Sequence, residues 1–161
     1  INFRFFTGLF LRNETPDDQD YFSFALDRPT DYLFDYNYYG RSENSGIYSQ
    51  QLIIAEGGFK SKLQPGFANQ WISTLNSSVN LWRWIYLYGD LGLVKNKGSN
   101  AQMVYDSGVR TSFVTDFFEL YLPLWSNLGF EPDFSNYSTR IRFIATLDID
   151  TLSRLFTRKW Y

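Results

Sequence analysis

The sequence predicts an all-β fold, an antiparallel transmembrane β-barrel or the C-terminal part of a larger barrel, followed by a short C-terminal helix. Three observations predict it. Apolar and polar residues alternate with a period of two along much of the chain, as in strands with one buried face. Aromatic residues make up 20% of the chain, and most of them are strand-favouring types. Several alternating segments reach the about 9–11 residues that a tilted membrane strand needs.

The alternation is clear at both ends of the region that we assign to strands, residues 1–147. In "FRFFTGLFL", Phe3, Phe5, Leu9 and Leu11 share one face, opposed by Arg4, Phe6, Gly8 and Phe10. In "FFELYLPLW", Phe118 and Leu120 lie on one side of an extended chain and Glu119 on the other. Counting such segments, separated by Gly, Pro, Asn and Asp turns, predicts about nine strands in one domain.

Two parts of the chain depart from plain alternation. The segment "IYSQQLIIAEGGF" is predicted as a strand with a bulge or a sharp bend at Gly57 and Gly58. Residues 148–161 change to helical spacing, with Asp148 or Asp150 as a cap and basic residues in the second half. This tail is predicted to form the short C-terminal helix.

Composition excludes several classes of function. The chain contains no cysteine and no histidine, so it has no disulfide, thiol nucleophile, Cys/His zinc site or imidazole base. The formal net charge of -2 gives no basic footprint for nucleic acid. There is no HExxH, GxSxG or Walker-type loop, and acidic stretches such as "PDDQD" read as polar turns. We therefore predict no catalytic residue, no cofactor, no metal site and no nucleic-acid partner.

The polar faces favour a barrel interior over the water-exposed side of a soluble sandwich. They carry Tyr, Gly, Ser and Asn with a few charges, instead of the Lys, Glu and Thr usual at a solvated face. Aromatics gather near strand ends, where amphipathic rings form interfacial girdles in membrane barrels. The predicted partner is thus the lipid bilayer of a bacterial outer membrane. The interfacial aromatics that we assign are Tyr38, Tyr39, Trp82, Trp84, Trp125, Trp160 and Tyr161.

Charged side chains on the inward faces would form a network inside a closed barrel. Arginine can bind a carboxylate through two parallel hydrogen bonds, so such a network can fill a narrow lumen without unpaired charge. We expect a structural plug, with a solute path as the alternative. The predicted network comprises Arg4, Asp35, Arg41, Glu56, Asp90, Asp106, Arg110, Glu119, Arg140 and Arg142. The stretch "EGGFKSK", residues 56–62, is predicted to form a bend at the barrel rim.

Three stretches carry a resemblance to a known family: "DYLFDYNYYGRSENSGIYSQQLIIAEGGFKS", "DFFELYLPLW" and "IRFIATLDIDTLSRLFTRKWY". Together they resemble the C-terminal region of large Gram-negative proteins in which a gluzincin-type HExxH zinc metallopeptidase precedes an outer-membrane β-barrel. The resemblance runs from about residue 31 to the end and implies a membrane anchor, with any catalytic residues upstream. More loosely, "GDLGLV", "DSGVRTSF" and "FFELYLPLW" are similar to the last strands of surface-antigen or assembly-factor barrels, which would imply protein insertion.

The expected function is an outer-membrane anchor or scaffold for a metallopeptidase-like envelope protein, or a subunit of an outer-membrane complex with other envelope proteins. The chain is expected to be a fragment of something longer. Two alternatives stay open: a soluble β-sandwich that binds ligands through exposed aromatics, and a pore or protein-insertion barrel. An odd count of about nine strands argues against a complete single-chain barrel, since bacterial barrels normally have even numbers.

Overall fold

The computed structural model describes residues 1–14, 22–27, 47–114 and 118–145, and one curled antiparallel sheet dominates them. The sheet has the form of a half-barrel. Three short 3-10 helices accompany it, at Ile47–Gln50, Glu131–Asp133 and Tyr137–Thr139. The strands are β1 (Asn2–Leu9), β2 (Phe24–Ala25), β3 (Phe67–Ala68), β4 (Trp71–Trp82), β5 (Ile85–Lys95), β6 (Gln102–Val114), β7 (Phe118–Ser126), β8 (Gly129–Phe130) and β9 (Arg142–Ala145).

The large sheet has the order β1-β4-β5-β6-β7-β8, and β9 also pairs with β7. Strands β4 to β7 form a meander in which each strand pairs with the next along the chain. Strand β1 is different, because it pairs with β4 across a long stretch of sequence. A second sheet contains only β2 and β3.

The two faces of the large sheet differ in chemistry. On β5, Tyr88 and Asp90 are buried on the concave face, whereas Leu87 and Leu91 are exposed on the convex face. The same inversion holds on β1, where Phe3 is 71% exposed on the convex face. Strands β1 and β5 therefore place polar groups inward and apolar groups outward at several positions.

The concave face is covered by residues 51–66, which we call the inner segment. Phe59 and Leu63 of this segment are buried against Ile72, Val94 and Val104 of the sheet. Gly92 makes this packing possible, because a Cβ atom there would lie 2.9 Å from the Phe59 ring. This core occupies one end of the concave face, and a second, smaller cluster of Leu52, Tyr88 and Tyr121 packs against Ile144.

The strand predictions for residues 3–9 and 118–122 are confirmed, including which residues share a face. The strand predicted in "IYSQQLIIAEGGF" is wrong: the chain forms a 3-10 helix at Ile47–Gln50 and then runs irregularly through the inner segment. The reason is that side chains of the sheet satisfy its backbone groups, so a strand ladder is not required. The predicted bend at Gly57 and Gly58 is confirmed, and Gly58 has a φ of 76°.

Other boundaries are shorter than predicted. The strand expected in "YFSFAL" is reduced to β2, and the last strand begins at Arg142 instead of Arg140. The predicted C-terminal helix at 148–161 lies outside the described residues, as does the predicted strand in "DYLFDYNYYG".

Candidate functional site

A row of polar side chains crosses five strands of the concave face. Arg4 pairs in register with Asn76, Asn76 with Asp90, Asp90 with Asp106, and Asp106 with Ser126. Because directly opposed residues in an antiparallel pair point to the same face, the five side chains form one continuous line. Sequence alternation placed three of them inward, and the register brings all five together.

The inner segment binds this polar row through its backbone. Arg4 donates from Nη1 to Asn76 Oδ1 at 3.0 Å and from Nη2 to the carbonyl oxygen of Glu56 at 2.8 Å. Asn76 Nδ2 donates to the carbonyl oxygen of Gly57 at 3.1 Å. A Cβ atom on Gly58 would lie 2.5 Å from both Arg4 Nη1 and Asn76 Oδ1, so glycine allows this close approach.

Two carboxyl groups anchor the next part of the inner segment. Asp106 Oδ2 accepts hydrogen bonds from the backbone N–H groups of Lys60 and Ser61, at 2.7 and 2.6 Å. Lys60 Nζ donates to Asp90 Oδ2 at 2.6 Å, in a salt bridge whose carboxylate side chain is fully buried. Among the described residues the Oδ1 atoms of both aspartates have no hydrogen-bond partner. One ammonium group therefore faces two adjacent buried carboxyl groups.

The row continues into the loop that follows β7. Ser126 Oγ donates to the Glu131 carboxylate, and Arg140 Nη1 donates to Glu131 Oε2 at 2.6 Å. Tyr137 lies beside this pair and donates to the carbonyl oxygen of Pro123 at 3.0 Å. Burial and then the Glu131 carboxylate raise the pKa of Tyr137, so its hydroxyl remains a donor over the physiological range.

A second group of side chains lies further along the concave face. Arg110 Nη1 lies 3.3 Å from Glu119 Oε1, and Tyr121 donates from its hydroxyl to Glu119 Oε2 at 2.6 Å. The guanidinium group of Arg110 also stacks on Tyr86, 4.1 Å from the ring centroid. Tyr88 packs edge-on against Tyr121 with ring centroids 5.7 Å apart.

A cavity of about 170 Å³ opens between this group and the inner segment. Arg4, Lys60 and Arg110 line it, together with tyrosines of β5 and β7. The concave face therefore has three zones: an apolar core, a polar row covered by the inner segment, and an open cavity.

The residues of the predicted charge network do not form one cluster in the structure, but lie in several separate places. Arg4, Asp90 and Asp106 lie in the polar row, and Arg110 and Glu119 form a separate pair. Glu56 contributes its backbone oxygen to Arg4, while its carboxylate accepts from the backbone N–H of Ala25 at 3.0 Å. Arg140 lies in a loop and Arg142 is buried on β9, whereas Asp35 and Arg41 lie outside the described residues.

Sequence reasoning missed several members of the site, namely Lys60, Asn76, Ser126 and Glu131. It placed "EGGFKSK" at the barrel rim, whereas the structure places this stretch against the concave face. Asn76 and Ser126 occupy inward positions of their strands, so the alternation that selected the charged residues could have selected them too. Glu131 begins the 3-10 helix that follows β8, so no strand pattern could identify it as inward-facing.

The predicted interfacial aromatics that the structure describes are all on the surface. Trp82 and Trp84 lie at the turn between β4 and β5, and both are exposed. Trp125 is exposed near the end of β7 and contacts Phe130, with ring centroids 4.7 Å apart. Tyr38, Tyr39, Trp160 and Tyr161 lie outside the described residues.

Exposed apolar side chains cover the convex face. They come from adjacent strands β1, β4, β5 and β6, so they form a continuous band across the sheet. Contiguous apolar surface on this scale marks a contact with lipid or with another protein. We define the convex band by Phe3, Phe5, Leu9, Leu75, Val79, Leu81, Leu87, Leu91, Leu93, Met103 and Tyr105.

No group of three or more acidic residues in the described ranges is arranged to hold a metal ion. In those same ranges no helix has the length and apolar character needed to cross a bilayer. No protein-family model matches the chain, and neither the search of curated proteins nor that of solved structures returns a match.

Proposed function

We propose that this chain is part of an outer-membrane β-barrel that anchors a larger protein or complex in a bacterial envelope. The observation that carries the proposal is the inversion of the two faces. The convex band presents leucine, phenylalanine and methionine side chains outward, while the concave face buries aspartate, asparagine and arginine. Membrane barrels have this arrangement, with apolar side chains toward lipid and polar ones toward the lumen.

Energetic reasoning favours lipid contact for the convex band. Full burial of one Leu or Phe side chain is worth about 1.5–3 kcal/mol relative to exposure. In water, the eleven residues of the convex band, which are 37–71% exposed, would each forgo part of this stabilisation. A bilayer would supply an apolar contact across the whole curved surface without requiring a shape-matched protein partner.

The filled concave face favours an anchor over a pore. The inner segment occupies the space in front of the polar row. Arg4 and Asn76 donate hydrogen bonds to its backbone carbonyls, and Asp106 accepts two from its backbone N–H groups. We expect this network to act as a plug, the role predicted from the sequence. The anchored part, on the resemblance stated above, is a metallopeptidase-like region carried by residues other than those of this chain.

Site-directed labelling tests membrane contact directly, because the chain has no cysteine. We would introduce Leu91→Cys in the convex band and Ser99→Cys in the exposed turn between β5 and β6 as a matched control. After reconstitution into vesicles, an environment-sensitive fluorophore at position 91 should be blue-shifted and quenched by spin-labelled lipid, unlike one at position 99. Equal emission and equal quenching at both positions would contradict the proposal.

The anchoring role requires a second measurement, on the native polypeptide. Intact mass and peptide mapping after detergent extraction should give a mass well above 19.0 kDa, with peptides from an upstream HExxH region. A native polypeptide of about this mass that is soluble without detergent would instead favour the soluble binding domain.

A further inference from the structure

The cavity on the concave face has an unusual charge distribution. Its lining includes three cationic side chains, Arg4, Lys60 and Arg110, and no carboxylate from the described residues. The salt-bridge partners of two of them, Asp90 and Glu119, do not line the cavity. Asp90 and Glu119 neutralise Lys60 and Arg110 from outside the cavity, so Arg4 is the lining cation that has no carboxylate partner among the described residues.

Arg4 is the cation whose charge is least compensated. It donates to two neutral oxygens, the side-chain amide of Asn76 and the backbone carbonyl of Glu56. Within the described part of the chain no carboxylate lies within salt-bridge distance of it. A guanidinium group has five N–H donors, so Arg4 retains donors for a further acceptor. Arg110 adds a buried Nε that has no hydrogen-bond partner among those residues.

The remaining wall is largely apolar. Ile54 of the inner segment and the rings of Tyr88 and Tyr121 contribute to it. A cavity of about 150 Å³ is large enough for a benzene ring, so about 170 Å³ admits one ring or a short branched chain. The size and the charge together point to a small ligand with one negative group and one apolar group.

We propose that this cavity binds a small organic monocarboxylate, with its carboxylate at Arg4 and its apolar group against Tyr88 and Ile54. A carboxylate suits Arg4 because guanidinium and carboxylate match in a planar, two-bond geometry. The proposal does not depend on membrane contact, because Arg4, Tyr88 and Ile54 do not belong to the convex band, although Phe3 of that band also contributes to the cavity lining.

The first test uses the unaltered chain and benzoate as the probe, with benzamide as a neutral analogue of the same shape and benzylamine as a cationic one. Calorimetric or NMR titration should show benzoate binding with a dissociation constant of about 1 mM or lower. Benzamide should bind at least about tenfold more weakly, because it brings no negative charge to pair with the Arg4 guanidinium group. No benzoate binding, or equal binding of benzoate and benzamide, would overturn the proposal.

The second test locates the site. Arg4→Gln should weaken benzoate binding by about tenfold, while Arg4→Lys, which keeps the positive charge, should retain more of it. Arg12→Gln is the matched control, since Arg12 is an exposed arginine paired with Glu14 outside the cavity. If Arg4→Gln alters the circular dichroism spectrum, Arg4→Lys and the benzoate-to-benzamide ratio of the unaltered chain give the answer. Loss of affinity in Arg12→Gln equal to that in Arg4→Gln would place the binding elsewhere and refute the assignment.

Discussion

Asp106 organises the inner segment through one oxygen atom. Its Oδ2 accepts from two consecutive backbone N–H groups, those of Lys60 and Ser61. Asp106→Ala should lower the free energy of unfolding by about 2–5 kcal/mol, because two buried donors lose their acceptor. Asp106→Asn keeps an acceptor oxygen and should cost clearly less. Denaturant titration followed by tryptophan fluorescence measures both variants, and equal losses would show that the carboxylate charge, not the acceptor, matters.

Two glycines on β5 test the packing of the concave face. Gly92→Ala would place a Cβ 2.9 Å from Phe59 and from Thr74, so we expect a loss of about 1–3 kcal/mol in the free energy of unfolding. Gly89→Ala is the matched control, since its nearest contact would be 3.9 Å away, at Ser77. Gly89→Ala should be neutral or slightly stabilising. The same denaturant titration distinguishes them, and a harmless Gly92→Ala would contradict the packing of Phe59 over the sheet.

At the level of single residues, alternation predicts well which face of the sheet a side chain points to, but it predicts poorly which residue that side chain binds. It placed Arg4, Asp90 and Asp106 on the inward face, where the structure has them. It did not identify Lys60 as the cation of Asp90, because that contact depends on where a non-strand segment lies in space. Side-chain direction follows from a local period, whereas partner choice follows from long-range packing.

The inner segment is the element that sequence reasoning interpreted wrongly. "QQLII" has the apolar content of a strand, but the segment is held by side chains of the sheet instead of by a ladder. Gly57 and Gly58 signalled the bend correctly, and they also allow the backbone to approach the sheet closely. A local pattern cannot distinguish a strand from an extended chain that fills a concave surface.

Proteolysis can test whether the Lys60–Asp90 salt bridge keeps the inner segment against the sheet. Lys60→Met removes the cation from the buried Asp90 carboxylate, which should cost about 3–5 kcal/mol and loosen the inner segment. Limited digestion with a protease that does not require lysine should then cut within residues 51–66 much faster. Lys62→Met, at an exposed position two residues away, should leave the digestion pattern unchanged. Identical digestion of both variants would mean that the salt bridge does not retain the segment.

For the whole molecule, one substitution distinguishes lipid from water by the size of its effect on stability. Leu91 lies near the middle of β5 in the convex band. If the band faces hydrocarbon, Leu91→Arg should destabilise the chain folded in vesicles, lowering its free energy of unfolding by about 2–4 kcal/mol. If the band faces water, the change should stay within about 0.5 kcal/mol. Ser99→Arg, in the exposed turn, should be neutral in both cases, and folding yield in vesicles of fixed composition measures all three chains.

The sheet itself could be predicted from the sequence, but its closure could not. Period-two patterns identify the long strands β4 to β7, since each carries its own signal and pairs with its neighbour. Strand count was less informative, because three of the nine strands have only two residues and others were shortened. Barrel closure depends on pairings between distant segments, which leave no local mark on the sequence.

The long separation between β1 and β4 has a consequence for the order of assembly. Arg4 binds a residue 72 positions away, whereas only a few residues of sequence separate each of the strands β4 to β7 from the next. Local hairpins form faster than contacts that close long loops, so β1 should dock after the meander and the inner segment are in place. Arg4 reaches the cavity only with β1, so the cavity should acquire its principal cation in the last folding step. A carboxylate probe would then report the moment at which folding is complete.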